Sequence, residues 1–144
     1  MTAADFFDWA SSCSRELGYL RKREAALRVP RSGGMGAPRS GGTGDPTSSL
    51  ALAAASEEPQ LRRDIERCER VVRRAKDLVG EVGRACGQAV ALALQLHYLE
   101  HNGWEPISIE MGMSLSTLFR MRRAAFEWVD REGILAEVGK IDSR

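Results

Sequence analysis

Hydrophobic residues recur at alternating steps of three and four along most of the chain. Residues 3–27 contain a first series, which only Glu24 interrupts: Ala3, Phe6, Ala10, Cys13, Leu17, Leu20 and Leu27. This spacing places the side chains on one face of an α-helix, and the narrow face is typical of a coiled-coil seam. We therefore predict an N-terminal amphipathic helix that packs either on its own domain or against a second copy of the chain.

A second, longer series follows without a slip in register: Leu61, Ile65, Cys68, Val72, Ala75, Val79, Val82, Cys86, Ala89, Ala93 and Leu96. Ser56 stands before two glutamates and a proline, which is a typical helix start with serine as N-cap. Glycines at 80, 83 and 87 each cost about 1 kcal/mol relative to alanine inside a helix. We expect two helices, about 57–79 and 84–101, with a break near 80–84. Charges of both signs on the outer face indicate a solvated surface.

Residues 29–49, VPRSGGMGAPRSGGTGDPTSS, show no hydrophobic period. Such a glycine- and proline-rich stretch buries too little apolar surface to offset its ordering entropy, which predicts a flexible linker. No segment shows a convincing strand period, so the expected fold class is all-α.

The pattern changes at Trp104. Ile107 and Met111 lie four apart on one helical face, and Gly112 provides the positive φ that a sharp turn between helices requires. Ser114 is a good N-cap for a following helix. Met113 and Leu118 flank it at the spacing of a hydrophobic staple. Two short helices joined at a glycine are therefore expected.

This arrangement resembles the helix-turn-helix of DNA-binding proteins. The motif requires a turn glycine, which Gly112 supplies, and a small residue that is usually alanine, where Ser108 departs mildly. Pro106 is unusual but fits within a first helical turn. The apolar positions of the motif are all occupied: Ile107, Met111, Met113, Leu118 and Met121.

A longer stretch, residues 94–130, resembles the C-terminal part of ArpU/RinA-like phage transcriptional regulators and is also similar to region four of sigma factors. The matching residues are Tyr98, Leu99, Trp104, Glu105, Ile107, Met111, Ser114, Leu118, Phe119, Arg120 and Met121. The resemblance covers about the last third of the chain. It implies a phage or prophage regulator that binds DNA and controls late transcription.

Charge is distributed unevenly. The chain carries 21 basic and 20 acidic side chains and a formal net charge of +1, which does not by itself suggest a nucleic-acid-binding protein. Between Ser114 and Phe126, however, there are three arginines and no acid. A local basic patch is thus predicted on the second helix of the motif.

The face of this helix opposite Leu118 and Met121 is the predicted DNA-reading surface: Ser114, Leu115, Ser116, Phe119, Arg120 and Arg123. Arginine can bind guanine O6 and N7 bidentately, and apolar side chains can contact thymine methyls. Arg122 lies to the side and is expected to neutralise a phosphate. We expect a sequence-specific regulator that reads the major groove of double-stranded DNA with helix 114–128.

Four regions follow from these patterns. The predicted organisation is an N-terminal helix (1–28), a linker (29–49), a charged helix for packing or oligomerisation (50–83) and a helix-turn-helix DNA-binding domain (84–144).

No catalytic or metal site is predicted. His97 and His101 lie four apart on one helix, but a structural metal site normally needs four ligands. We find no nucleophile triad or phosphate-binding loop, and we expect no enzyme activity, metal or cofactor. The odd number of cysteines fits a reducing cytoplasm, and no apolar run is long enough to span a membrane.

Two other functions share the same features. A small phage terminase subunit also joins a helix-turn-helix to oligomerising helices, and a ring-shaped assembly would favour it. A sigma-like helical adaptor would contact RNA polymerase without reading DNA. A homo-oligomer is expected in either DNA-binding case, and a dimer favours the regulator.

Overall fold

The structure is a computed structural model, and it describes residues 1–28 and 45–138. Its elements are five α-helices: α1 (Ala3–Arg28), α2 (Asp45–Cys86), α3 (Gln88–Leu94), α4 (Trp104–Met111) and α5 (Leu115–Arg131). A π-helical turn, Gln95–Leu99, extends α3, and a short 3-10 helix, Ile134–Glu137, follows α5. No strand occurs in the described ranges, so the all-α prediction is confirmed. Most of the predicted linker, residues 29–44, lies outside the described residues.

Helix α1 forms as the hydrophobic spacing predicts. Six of its seven seam residues are buried, and Leu27 at the C-terminal end is half-buried. Phe7, which the seam does not include, is also fully buried, so the apolar face is wider than a coiled-coil seam. This face packs on α2 of the same chain.

Helix α2 begins earlier than predicted. It starts at Asp45 and contains Pro59 in its interior, so the prediction of a helix start at Ser56 is wrong. Two local features explain the difference. Proline is pre-organised for the first turn of a helix, and Pro46 occupies that turn of α2. Residues 50–55, LALAAA, also have high helix propensity. The last five residues of the predicted linker, 45–49, are therefore helical.

The break between the second and third helices lies later than predicted. Helix α2 continues through Gly80 and Gly83 to Cys86, and the chain turns at Gly87, whose φ is 115°. Val79 and Val82 beside the two helical glycines are buried in the core. Burying such side chains contributes about 1.5–3 kcal/mol each, which outweighs the cost of about 1 kcal/mol for each glycine.

One main hydrophobic core joins the two ends of the chain. It contains buried residues of α1, α2, α3, α5 and the 3-10 helix, among them Val71 and Leu78, which the predicted stripe omitted. Residues 84–138 therefore share their core with α1 and α2.

Helix α1 is also attached directly to α5. The backbone N–H of Ala3, in the first turn of α1, donates to Asp130 Oδ1 at 2.7 Å. Phe7 stacks on Phe126 with ring centroids 5.3 Å apart. An acceptor from a distant helix thus satisfies one of the free N–H groups at the start of α1. None of the described helices combines the length and the apolar character needed to cross a membrane.

Candidate nucleic-acid interface

Helices α4 and α5 are joined by a turn that hydrogen bonds hold closed. Gly112 has a φ of 67°, in the left-handed region that favours glycine. The backbone N–H of Met113 donates to the Ser108 carbonyl at 3.1 Å, and the Ser108 hydroxyl donates back to the Met113 carbonyl. Ser108, where the motif usually has alanine, therefore links the last turn of α4 to Met113 by two hydrogen bonds.

Ser114 caps α5 as predicted. Its side-chain oxygen accepts the backbone N–H of Thr117 at 3.2 Å, and its hydroxyl donates to Thr117 Oγ1 at 2.9 Å. Ser116 Oγ lies 3.4 Å from Ser114 Oγ. The Ser114 hydroxyl is therefore occupied by the cap. The other N–H groups of the first turn of α5 keep the partial positive charge of a helix N-terminus.

A second, small core lies beneath the turn. Ala93, Ile107 and Leu118 are buried together, one from each of α3, α4 and α5. Met113 packs against this cluster, so Met113 and Leu118 are placed as the predicted staple requires. Further along α5, Ala125 and Val129 enter the main core and Met121 packs against it. Helix α5 thus rests on both cores.

The predicted DNA-reading residues divide into two groups. Ser114, Ser116, Arg120 and Arg123 are exposed. Leu115, Phe119 and Arg122 are half-buried. The exposed group presents two hydroxyls and two guanidinium groups on one side of the helix, and the half-buried group lies closer to the body of the protein.

Phe119 and Arg122 are held by Trp104. The rings of Trp104 and Phe119 meet edge to face at 5.6 Å between centroids. The Arg122 guanidinium carbon lies 5.2 Å from the centroid of each of these rings. Arg122 Nη1 also donates to the Tyr98 hydroxyl at 3.4 Å. We call this group of four side chains, Tyr98, Trp104, Phe119 and Arg122, the arginine clamp.

His97 supports the clamp from behind. Its ring stacks on Trp104 at 4.1 Å between centroids, and its Nδ1–H donates to the Asn102 carbonyl at 2.8 Å. Burial lowers the pKa of His97, and the nearby Arg122 charge lowers it further, although the bond to Asn102 opposes this shift. Burial likewise raises the pKa of the Tyr98 phenol. Both groups are therefore neutral at pH 7, and the clamp carries a single positive charge.

Five arginines of the described chain have a carboxylate within ion-pair distance, and none of the five is on α5. The ion pairs of the described residues all lie on α1 and α2: Arg21–Glu69, Arg23–Glu57, Arg28–Glu24, Arg62–Glu58 and Arg74–Glu81. Within the described chain, no carboxylate pairs with Arg120, Arg122 or Arg123. This face of α5 therefore carries positive charge that no carboxylate of the described chain neutralises.

The two histidines have separate structural roles. His101 adopts a φ of 62°, and its Nε2 lies 3.1 Å from the hydroxyl of Ser14 on α1. That hydroxyl also donates to the Leu99 carbonyl. Burial lowers the pKa of His101. No group of three or more histidine, cysteine, aspartate or glutamate side chains suited to a metal occurs in the described part of the chain.

The sequence patterns missed most of the clamp. Tyr98 and Trp104 entered the family resemblance, but no periodicity indicated that the Tyr98 hydroxyl and the Trp104 ring both contact Arg122. A local signal existed, because Phe119 and Arg122 are three residues apart and therefore neighbours on a helix. The contribution of Trp104 depends on how α4 packs against α5, which no local pattern specifies.

The chain matches no protein-family model, no curated protein and no solved structure. The resemblance to ArpU/RinA-like regulators therefore stays a prediction. Inference about function depends on the geometry described above.

Proposed function

We propose that this protein is a sequence-specific regulator that binds double-stranded DNA, of the phage or prophage type. In this proposal α4, the turn at Gly112 and α5 act as a helix-turn-helix, and residues 114–128 enter the major groove. The observation that carries the proposal is the exposed pair Arg120 and Arg123, which have no carboxylate partner within the described chain.

The dimensions of DNA suit this arrangement. The major groove is about 12 Å wide and admits one α-helix. The side chains of Arg120 and Arg123, three residues apart, extend from the same side of α5. Each can form two parallel hydrogen bonds with a guanine edge, and a good bidentate contact is worth about 1–3 kcal/mol of discrimination.

The remaining residues of the face have different roles in the proposal. Leu115 and Phe119 offer apolar surface to thymine methyl groups. The free N–H groups of the first turn of α5, exposed beside Ser116, favour a backbone phosphate. Ser114 acts mainly as the helix cap, because its hydroxyl already bonds Thr117.

The oligomeric state of the protein determines the expected length of its DNA site. A dimer would bind two half-sites about 34–36 Å apart, or one turn of the double helix. We expect sedimentation analysis of the full chain to show a dimer, and protection of DNA to extend over two half-sites. A ring of many subunits would instead favour the terminase function.

Selection from random duplexes tests the proposal. The full-length chain is incubated with a random double-stranded library at low salt, and bound molecules are amplified and sequenced over several rounds. We expect one enriched motif and a measurable affinity for it in a mobility-shift assay. The matched control is the Arg120→Ala/Arg123→Ala variant, which should enrich nothing. Failure of the folded wild-type chain to retain any duplex at low salt would overturn the proposal.

A further inference from the structure

The arginine clamp places a charged side chain in an unusual environment. Arg122 contacts two aromatic rings and a phenol hydroxyl, and no carboxylate of the described chain pairs with it. A guanidinium group over an aromatic face is attracted by the negative charge of the ring face. Because the guanidinium of Arg122 and the rings of Trp104 and Phe119 are all planar, their contacts orient the rings as well as the cation.

The clamp fixes the position of Phe119. The edge-to-face contact with Trp104 and the Arg122 guanidinium over the ring both restrain the Phe119 side chain. An unrestrained phenylalanine on an outer helix face would lose rotamer freedom on binding, and that loss weakens association. A ring that is already held in one orientation avoids this cost.

We propose that Arg122 is a positioning residue, and that it holds Phe119 as a rigid reader of a thymine 5-methyl group in the major groove. This inference rests on the proposed function, because it assigns a base class to one residue of the same face. It differs from the role that the sequence suggested for Arg122, namely a simple phosphate contact.

Arginine and lysine separate the two roles. Lysine keeps the positive charge but lacks the planar group that stacks on rings. If Arg122 positions Phe119, Arg122→Lys removes the positioning and keeps the charge. If Arg122 only neutralises a phosphate, Arg122→Lys retains both affinity and base preference.

The test uses the duplex selected by the wild-type protein. Each thymine of that duplex is replaced in turn by uracil, which lacks only the 5-methyl group. We expect wild-type affinity to fall about fourfold at one thymine, the value for one buried methyl group. In Phe119→Ala the same replacement should have no effect, which identifies that thymine as the contact of Phe119.

The decisive variant is then Arg122→Lys. We expect it to lose most of the thymine-over-uracil preference while the salt dependence of binding stays that of the wild type. The double variant Phe119→Ala/Arg122→Lys should discriminate to the same extent as Phe119→Ala alone, because Arg122 acts through Phe119. Circular dichroism and thermal unfolding of each variant establish that the fold is intact. The ratio of the affinities for the thymine and the uracil duplex does not change when part of the protein is inactive.

Three results would overturn the inference. A full fourfold preference in Arg122→Lys would show that Arg122 does not position Phe119. Preservation of the preference in Phe119→Ala would show that another residue reads the methyl group. If wild-type protein binds no duplex, the proposed function fails and the inference fails with it; in the first two cases the proposed function stands.

Discussion

The arginines on α1 and α2 and the arginines on α5 are the same residue type in two different settings. On α1 and α2, residues such as Arg21 and Arg62 pair with glutamates within 4 Å. On α5, Arg120 and Arg123 are also exposed but pair with no carboxylate of the described chain. The positive charge of the first group is neutralised locally, and that of the second is not.

This difference shows why net charge is a poor guide to function here. A formal charge of +1 averages over arginines that are paired with carboxylates and arginines that are not. Exposed ion pairs contribute only about 0–1 kcal/mol to stability. In this protein five ion pairs neutralise part of the positive charge on α1 and α2, and within the described chain none neutralises Arg120, Arg122 or Arg123.

The largest expected effect comes from removing the support beneath α5. Leu118 is 1% exposed in the small core, and Leu118→Ala should lower the free energy of unfolding by about 2–5 kcal/mol. The matched control is Leu92→Ala, because Leu92 is 47% exposed and its truncation should change stability by less than about 0.5 kcal/mol. Urea unfolding measures both. Equal stability of the two variants would show that α5 does not depend on this core.

The next effect tests the arginines themselves. Arg120→Ala and Arg123→Ala should each cost about 1–3 kcal/mol of discrimination between the selected duplex and a duplex changed at the contacted base. The matched control is Arg62→Ala, which should leave this discrimination unchanged because Arg62 on α2 pairs with Glu58. Mobility shifts at fixed salt measure all three. An equal loss from Arg62→Ala would abolish the distinction between the two groups of arginines.

A smaller effect is expected at the cap. Ser114→Ala removes the acceptor of the Thr117 N–H and should destabilise the protein by about 1 kcal/mol. Ser116→Ala is the control, because Ser116 is exposed and is not the cap residue. Thermal unfolding followed by circular dichroism compares them. Equal melting temperatures in Ser114→Ala and the wild type would mean that the cap does not stabilise α5.

The smallest effect concerns pH. The folded protein lowers the pKa of His97 below 6.5, chiefly by burial, so the unfolded chain binds the proton more readily. The stability that neutral His97 contributes should be fully present above about pH 6.5, the pKa of the unfolded chain. It should be lost as the pH falls through the lowered pKa of the folded state. His97→Gln should flatten this part of the stability profile, with His101→Gln as a comparison because burial also lowers its pKa. A profile unchanged in His97→Gln would assign the decline to other groups.

The sequence predicted the features that depend on residues close together in the chain. The extent of α1, the positive φ of Gly112 and the cap at Ser114 each depend on residues within a few positions, and all three are confirmed. The start of α2 at Asp45 is also decided locally, but the glycine- and proline-rich composition of residues 29–49 predicts a linker there.

Features that depend on tertiary packing were not predictable. Gly80 and Gly83 remain helical because their neighbours are buried against other helices. Asp130 accepts the N–H of Ala3 from 127 positions away. The environment of Arg122 likewise requires the packing of α4 on α5, so the sequence could suggest its charge but not the clamp.

The most direct test of the central claim is the affinity of the full-length protein for two duplexes of equal length and base composition. One contains the selected motif, and the other contains the same bases in shuffled order. At physiological salt we expect the motif to bind about 10³-fold more tightly or better, as is typical of specific regulators. Equal affinities, falling equally with added salt, would show that the basic face of α5 holds DNA without reading it and would contradict the account.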